Sequence, residues 1–139
     1  MVNLLEEEGG RHGGHTITVH AGRSPQSLLS RVRGDRIRGV THSTYRKRDG
    51  SFPSVAAANR LVNSALAQNS FIVAQVANGS QRRAFLVARF ASATGIEAYA
   101  PTEHSIPYLR TTYGVAVEIV HDPNAPNGFR VVTAYPRND

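Results

Sequence analysis

Residues 54–88, SVAAANRLVNSALAQNSFIVAQVANGSQRRAFLVA, change their hydrophobic period once, and that change decides the fold class. Ser54 is a good helix N-cap, and Val55, Ala58, Leu61, Val62, Ala65 and Leu66 follow it at helical spacing. A second helical piece, Phe71 to Ala77, stops at Asn78-Gly79, because glycine readily takes the left-handed conformation that ends a helix. Beyond Gly79 the period shortens. Ala84 to Ala88, Tyr113 to Val120 and Phe129 to Tyr135 read as strands, divided by Gly95, Pro101, Pro107 and the turn-rich run Asp122 to Gly128. Upstream, Ser24-Pro25 opens another helix with Leu28, Leu29 and Val32 as its apolar stripe and Gly34 as its stop. Arg31 falls at the edge of that stripe, where a guanidinium can be pinned. The chain opens with a short helix from Val2 to Glu8, closed by Gly9-Gly10. Arg36 to Pro53 reads as mostly loop, with a short strand at Thr41 to Tyr45 and a turn at Asp49-Gly50. Helices first and antiparallel strands afterwards predict an α+β fold.

At 139 residues the chain suits one domain, 1–139, with 1–10 as a linker or short helix. No stretch approaches the roughly 20 apolar residues of a membrane span. The acidic start Leu4 to Glu8 lacks the basic and apolar regions of a signal peptide. Without cysteine, neither disulfides nor a thiolate metal site can contribute, so packing alone must hold the fold. Sixteen Lys and Arg against ten Asp and Glu give a net charge of +6, and fifteen of the sixteen cations are arginines, Lys47 being the exception. Arginine forks match phosphate oxygens, so a polyanionic partner is expected. Arg31, Arg33, Arg36, Arg38, Arg46, Lys47 and Arg48 crowd one third of the chain. A solvated charged face would give the same pattern.

Chemistry concentrates in Gly13 to Gly22, GGHTITVHAG, and in Leu28 to Arg31 just after it. Two imidazoles, His15 and His20, and a guanidinium, Arg31, are what a site acting on a phosphodiester needs. An imidazole exchanges a proton near neutral pH, and arginine holds charge building on a phosphate. The plain alternatives are a capped turn with a surface histidine, and an arginine that only pairs with a nearby carboxylate. On the last strand Thr133 and Tyr135 share one side by the period of two, about 7 Å apart, and could flank one phosphate. Tyr135 as a core anchor is the structural alternative. His12, His42, His104 and His121 have no comparable context. No pair among the six histidines has metal-ligand spacing with a third ligand near, so no metal and no cofactor are expected.

The runs GGHTITVHAGRSPQSLLSR, HSTY before an alanine-rich helix, and NGFRVVTAYP at the end resemble the bacterial ribonuclease A-like toxin domains of contact-dependent growth-inhibition and related polymorphic toxins. The resemblance runs from about Leu4 to Pro136. The chain departs from the family pattern at Ala21, where valine is common, at Tyr45, where phenylalanine is common, and in extra residues around Arg46 to Pro53. The resemblance implies a ribonuclease A-like fold without disulfides, N-terminal helices followed by a curved antiparallel sheet. It also implies a metal-independent endoribonuclease whose active groups, carried over by motif, are His20, Arg31, Thr133 and Tyr135. His15 stands second to His20 as the base, and the general acid is left open. Arg33, Ser43 and Thr44 are expected to bind substrate. The implied reaction is attack of the ribose 2′-hydroxyl on the adjacent phosphorus, leaving a 2′,3′-cyclic phosphate. The implied setting is a larger effector, secreted or displayed at the cell surface, whose toxin domain acts in the cytoplasm of a target bacterium. A cognate immunity protein, acidic to match the basic cleft, is its expected partner, and the domain is otherwise expected to be a monomer. Two other classes fit parts of the sequence. A non-catalytic RNA-binding module suits the charge, and an ADP-ribosyltransferase toxin is suggested only by Ser43-Thr44-Tyr45, without the Glu-x-Glu that class carries.

Overall fold

A computed structural model describes residues 2–7, 20–34, 37–38, 43–44, 48–102 and 104–138, with backbone alone for Glu7, Arg33, Gly34, Ile37, Arg38, Ser43 and Thr44. Its helices are α1 (Leu4–Glu7), α2 (Pro25–Gly34), α3 (Val55–Gln68) and α4 (Ser70–Ala77). Its strands are β1 (Ile37–Arg38), β2 (Ser43–Thr44), β3 (Arg48–Ser51), β4 (Arg83–Arg89), β5 (Gly95–Tyr99), β6 (Tyr108–Thr112), β7 (Gly114–His121) and β8 (Phe129–Arg137). They form two antiparallel three-stranded sheets, β4-β7-β8 and β3-β5-β6, and a small β1-β2 pair. The α+β expectation holds.

The caps read from the sequence act where expected. Ser54 accepts a hydrogen bond from the Ala57 amide, and Ser24 accepts one from Ser27. From that start α3 buries Ala57, Ala58, Val62, Ala65 and Leu66. They join Leu86, Val115, Val117, Ile119, Phe129 and Val131 in the main core. Helix α2 sets Leu28 and Val32 against Ala98 and Ala100, a smaller core on the second sheet. Each sheet therefore has its own helix. The N-terminal segment is tied down by side-chain amides of α3: Asn63 and Asn59 accept from the backbone of Val2 and Leu4, both at 2.8 Å.

Three expectations are corrected. Asp49-Gly50 is not a turn but the middle of β3, paired with Ala98 and Glu97. Gly95 divides nothing and is the first residue of β5. Strands β5 and β6 occupy a stretch read only as dividers. The cause is tertiary: a side chain at Gly50 would collide with the backbone carbonyl oxygen of Pro136, so glycine here admits the close approach of β8. Of the strand expected at Thr41 to Tyr45, Ser43 and Thr44 form β2, and the rest lies outside the described residues.

Strand β8 carries a feature that simple alternation misses. Val131 pairs with Ile119 and Thr133 with Glu118, so Val132 is an extra residue in a β-bulge. Before it Phe129 and Val131 face the core, and after it Ala134 and Pro136 do. The bulge turns Thr133 and Tyr135 away from α3. Unbroken alternation from Phe129 would bury both.

Candidate active site

The backbone around His20 is clamped to the entry of α3. The Phe52 amide donates to the His20 carbonyl at 2.7 Å, and the Gly22 amide donates to the Phe52 carbonyl at 2.8 Å. That clamp aims the imidazole at β3, where Nδ1 lies 2.8 Å from the Gly50 carbonyl oxygen. A carbonyl can only accept, so Nδ1 carries the hydrogen and the lone pair of the neutral ring sits on Nε2. The tilted ring of Tyr135 lies with its centroid 5.3 Å away.

Asp49, next to Gly50 on β3, joins the histidine to the arginine. Its Oδ1 stands 3.7 Å from His20 Nδ1 and 3.4 Å from an Arg31 guanidinium nitrogen, and its side chain has 0 % exposure. Arg31 projects from α2, whose Leu28 and Val32 are fixed in the second core. With 28 % of its side chain exposed, the guanidinium is held on one side and open on the other. His20 itself is buried, its side chain 9 % exposed.

Past the bulge, Thr133 and Tyr135 lie on the sheet face away from α3, together with Phe85, Val87 and Arg89 of β4 and Gly114, Ala116 and Glu118 of β7, Glu118 standing directly across from Thr133. The Thr133 hydroxyl oxygen is buried, with no hydrogen-bond partner among the described residues. A buried hydroxyl left so is a donor kept for something else or a local cost.

Of the expected site residues, then, His20, Arg31 and Tyr135 come together, and Thr133 stands two residues before Tyr135 on the same face. His15 lies outside the described residues. Arg33 is on the last turn of α2 and Ser43 and Thr44 form β2, with side chains outside the description. Asp49 was missed, because an Asp-Gly pair signals a turn. Arg48, counted with the open basic run, is instead paired: it donates to the Asn138 carbonyl at 2.8 Å and lies 3.8 Å from Glu97. Among the described residues no group of three His, Asp or Glu side chains is placed to hold a metal ion. No described helix is long and apolar enough to cross a membrane.

A buried carboxylate shared by an imidazole and a guanidinium, beside a tyrosine on the last strand of an α+β fold, suits proton transfer at an anionic centre. The sequence of residues 14–136 matches the model of the bacterial CdiA-CT RNase A domain, and the chain belongs to that family. The fold is similar to that in the crystal structure of a CdiA-CT/CdiI complex from Y. kristensenii, with TM-score 0.70 and 21% identity over 89% of this chain and 99% of that one. The chain matches no curated protein.

Proposed function

We propose that this chain is a single toxin domain that cleaves RNA by 2′-hydroxyl transesterification without a metal ion. The observation that carries the reading is the Asp49 carboxylate holding His20 and Arg31 together, in a chain of the CdiA-CT RNase A family. His20 Nε2 takes the proton of the ribose 2′-hydroxyl, the oxygen attacks phosphorus, and the 5′-oxygen leaves with a proton, giving a 2′,3′-cyclic phosphate. Charge accounting supports these roles. With His20 neutral, Arg31 and Asp49 nearly cancel. Once His20 holds the proton the trio carries one net positive charge, and this is when negative charge on the phosphoryl oxygens is greatest. Such an interaction is stronger in the transition state than in the ground state, which is what accelerates a reaction. Thr133 donates a hydrogen bond to a phosphoryl oxygen, and Tyr135 either donates another or orients the imidazole it stacks against. His15, the second imidazole of the motif, is the alternative base, and Arg33, Ser43 and Thr44 are proposed substrate contacts.

The domain acts, in this reading, in the cytoplasm of a target bacterium after delivery as part of a larger effector. It is monomeric apart from a complex with a cognate immunity protein, in keeping with its structural neighbour, which was solved as a CdiA-CT/CdiI complex.

The test is incubation of the purified domain with total RNA in EDTA, followed by analysis of the new ends. Cleavage should persist and leave cyclic or 3′-phosphate ends, and His20→Ala and Arg31→Ala should abolish it while remaining folded. Strict dependence on magnesium would sink the mechanism, and activity that survives both substitutions but not His15→Ala would move the base to His15.

A further inference from the structure

Beyond Tyr135, at the end of the same sheet face, lies a cavity of about 460 Å³. Three arginines from three strands converge on it: Arg89 closes β4, Arg110 lies on β6, and Arg137 closes β8. Phe90, Tyr113, Gly114 and Asn138 complete its lining. Arg137 is two residues past Tyr135, so period two puts it on the same face and about 7 Å further along the strand. That is comparable with the step between neighbouring phosphates of an extended single strand.

No carboxylate lies among the described lining residues. Glu97, wholly buried on β5, is taken up by Arg110 at 3.1 Å and Arg48 at 3.8 Å. Arg110 is also stacked on Tyr99, 3.9 Å from the ring centroid, so its guanidinium is fixed before any ligand arrives. Arg89 is exposed and has no ion-pair partner among the described residues. Converging cations beside aromatic rings are the composition of a single-stranded nucleic-acid site, where arginine takes the phosphate and the ring takes the base.

We propose that this cavity is a second RNA subsite holding one nucleotide beyond the cleavage site, its phosphate on Arg89 and its base against Tyr113. The proposal rests on the ribonuclease reading above and deepens it: the enzyme grips a strand along β8 and so favours longer RNA over a minimal dinucleotide. Tyr113 is half exposed; its amide donates to Asn138 Oδ1 and its carbonyl accepts from the Phe90 amide, so both bonds use its backbone. Tyr113→Ala and Arg89→Gln are therefore suited to probe binding without unfolding the protein.

The experiment compares kcat/KM for a dinucleotide and for a hexanucleotide containing the same cleavable step. The wild-type protein should prefer the hexanucleotide, and each variant should lose roughly 10-fold of that preference, mainly through KM on the hexanucleotide. Binding of an uncleavable 2′-deoxy hexanucleotide should weaken in parallel, with its salt slope shallower by about 0.7 in Arg89→Gln for one lost phosphate contact. A preference unchanged in both folded variants overturns the subsite. So does weakened binding of an immunity protein with no change in the preference, which would make the cavity a protein interface. A wild-type protein that cleaves neither substrate nor total RNA overturns the ribonuclease reading and the subsite with it.

Discussion

The Asp49 side chain has no exposed surface, yet it stands 3.7 Å from an imidazole nitrogen and 3.4 Å from a guanidinium nitrogen. Burying a carboxylate is costly unless it is paired, and here the pairing also fixes two candidate catalytic groups that come from different elements. Asp49→Asn keeps the shape and removes the charge. Turnover per folded molecule should fall about 100-fold, equivalent to about 2.7 kcal/mol of transition-state stabilisation, with a smaller loss of thermal stability. Normal turnover in a folded Asp49→Asn protein would reduce the residue to a structural ion-pair partner. Tyr135 offers a contrast, because its ring packs at 5.3 Å from that of His20 and only its hydroxyl is asked to contact substrate. Tyr135→Phe should lower kcat strongly and shift the melting temperature little; a large loss of stability with unaltered turnover would make it a packing residue instead. His20, Arg31, Thr133 and Tyr135 could be proposed from the sequence because they fall in the runs that carry the family resemblance. Asp49 could not, since nothing in an Asp-Gly pair announces that a histidine 29 positions earlier will close over it.

At the scale of elements, the bulge at Val132 decides what β8 presents to the face away from α3. It reverses the alternation that Phe129 and Val131 begin, and so Thr133 and Tyr135 leave the core while Ala134 and Pro136 enter it. Deleting Val132 places Thr133 next to Val131 in a regular ladder and leaves Thr133 and Tyr135 on the same face, removing only the local twist that the bulge adds. The variant should therefore stay folded on chemical denaturation but lose RNA cleavage, because Thr133 and Tyr135 are re-aimed. A deletion variant that cleaves as well as its parent would show that the bulge is incidental. The elements read well from sequence were those with their own local signals: α3 by its Ser54 cap and period, α4 by its Asn-Gly stop, and β4, β7 and β8 by their apolar alternation. Strands β3, β5 and β6 lacked such signals. RDGS and GIEAY carry turn formers or charge at positions that only the paired sheet explains, where Glu97 meets Arg110 and Arg48 and Gly50 meets Pro136. Pairing partners far apart in sequence made these segments strands, and no local window contains that information.

Across the whole molecule sixteen cations outnumber ten anions. Arg31, Arg48, Arg110 and Arg130 each stand within 4 Å of a buried or half-buried carboxylate, whereas Arg89 is exposed with no ion-pair partner among the described residues. That excess leaves positive field for a partner. A protein that protects a producing cell from this domain must reach it before RNA does, and the quickest approach is one steered by charge. We expect a small acidic immunity protein that presents aspartates and glutamates over the face between His20 and Arg137. Its association rate constant should fall by at least tenfold between roughly 20 mM and 500 mM salt, as the screening length shrinks below the separation of the approaching surfaces. Dissociation should change far less, because contacts already formed exclude the screening ions. Stopped-flow association measured across ionic strength, with a 2′-deoxy oligonucleotide as competitor, tests both halves of the expectation. A partner that binds at a rate independent of salt and leaves the oligonucleotide bound would place inhibition on another surface, such as the helical side formed by α3 and α4.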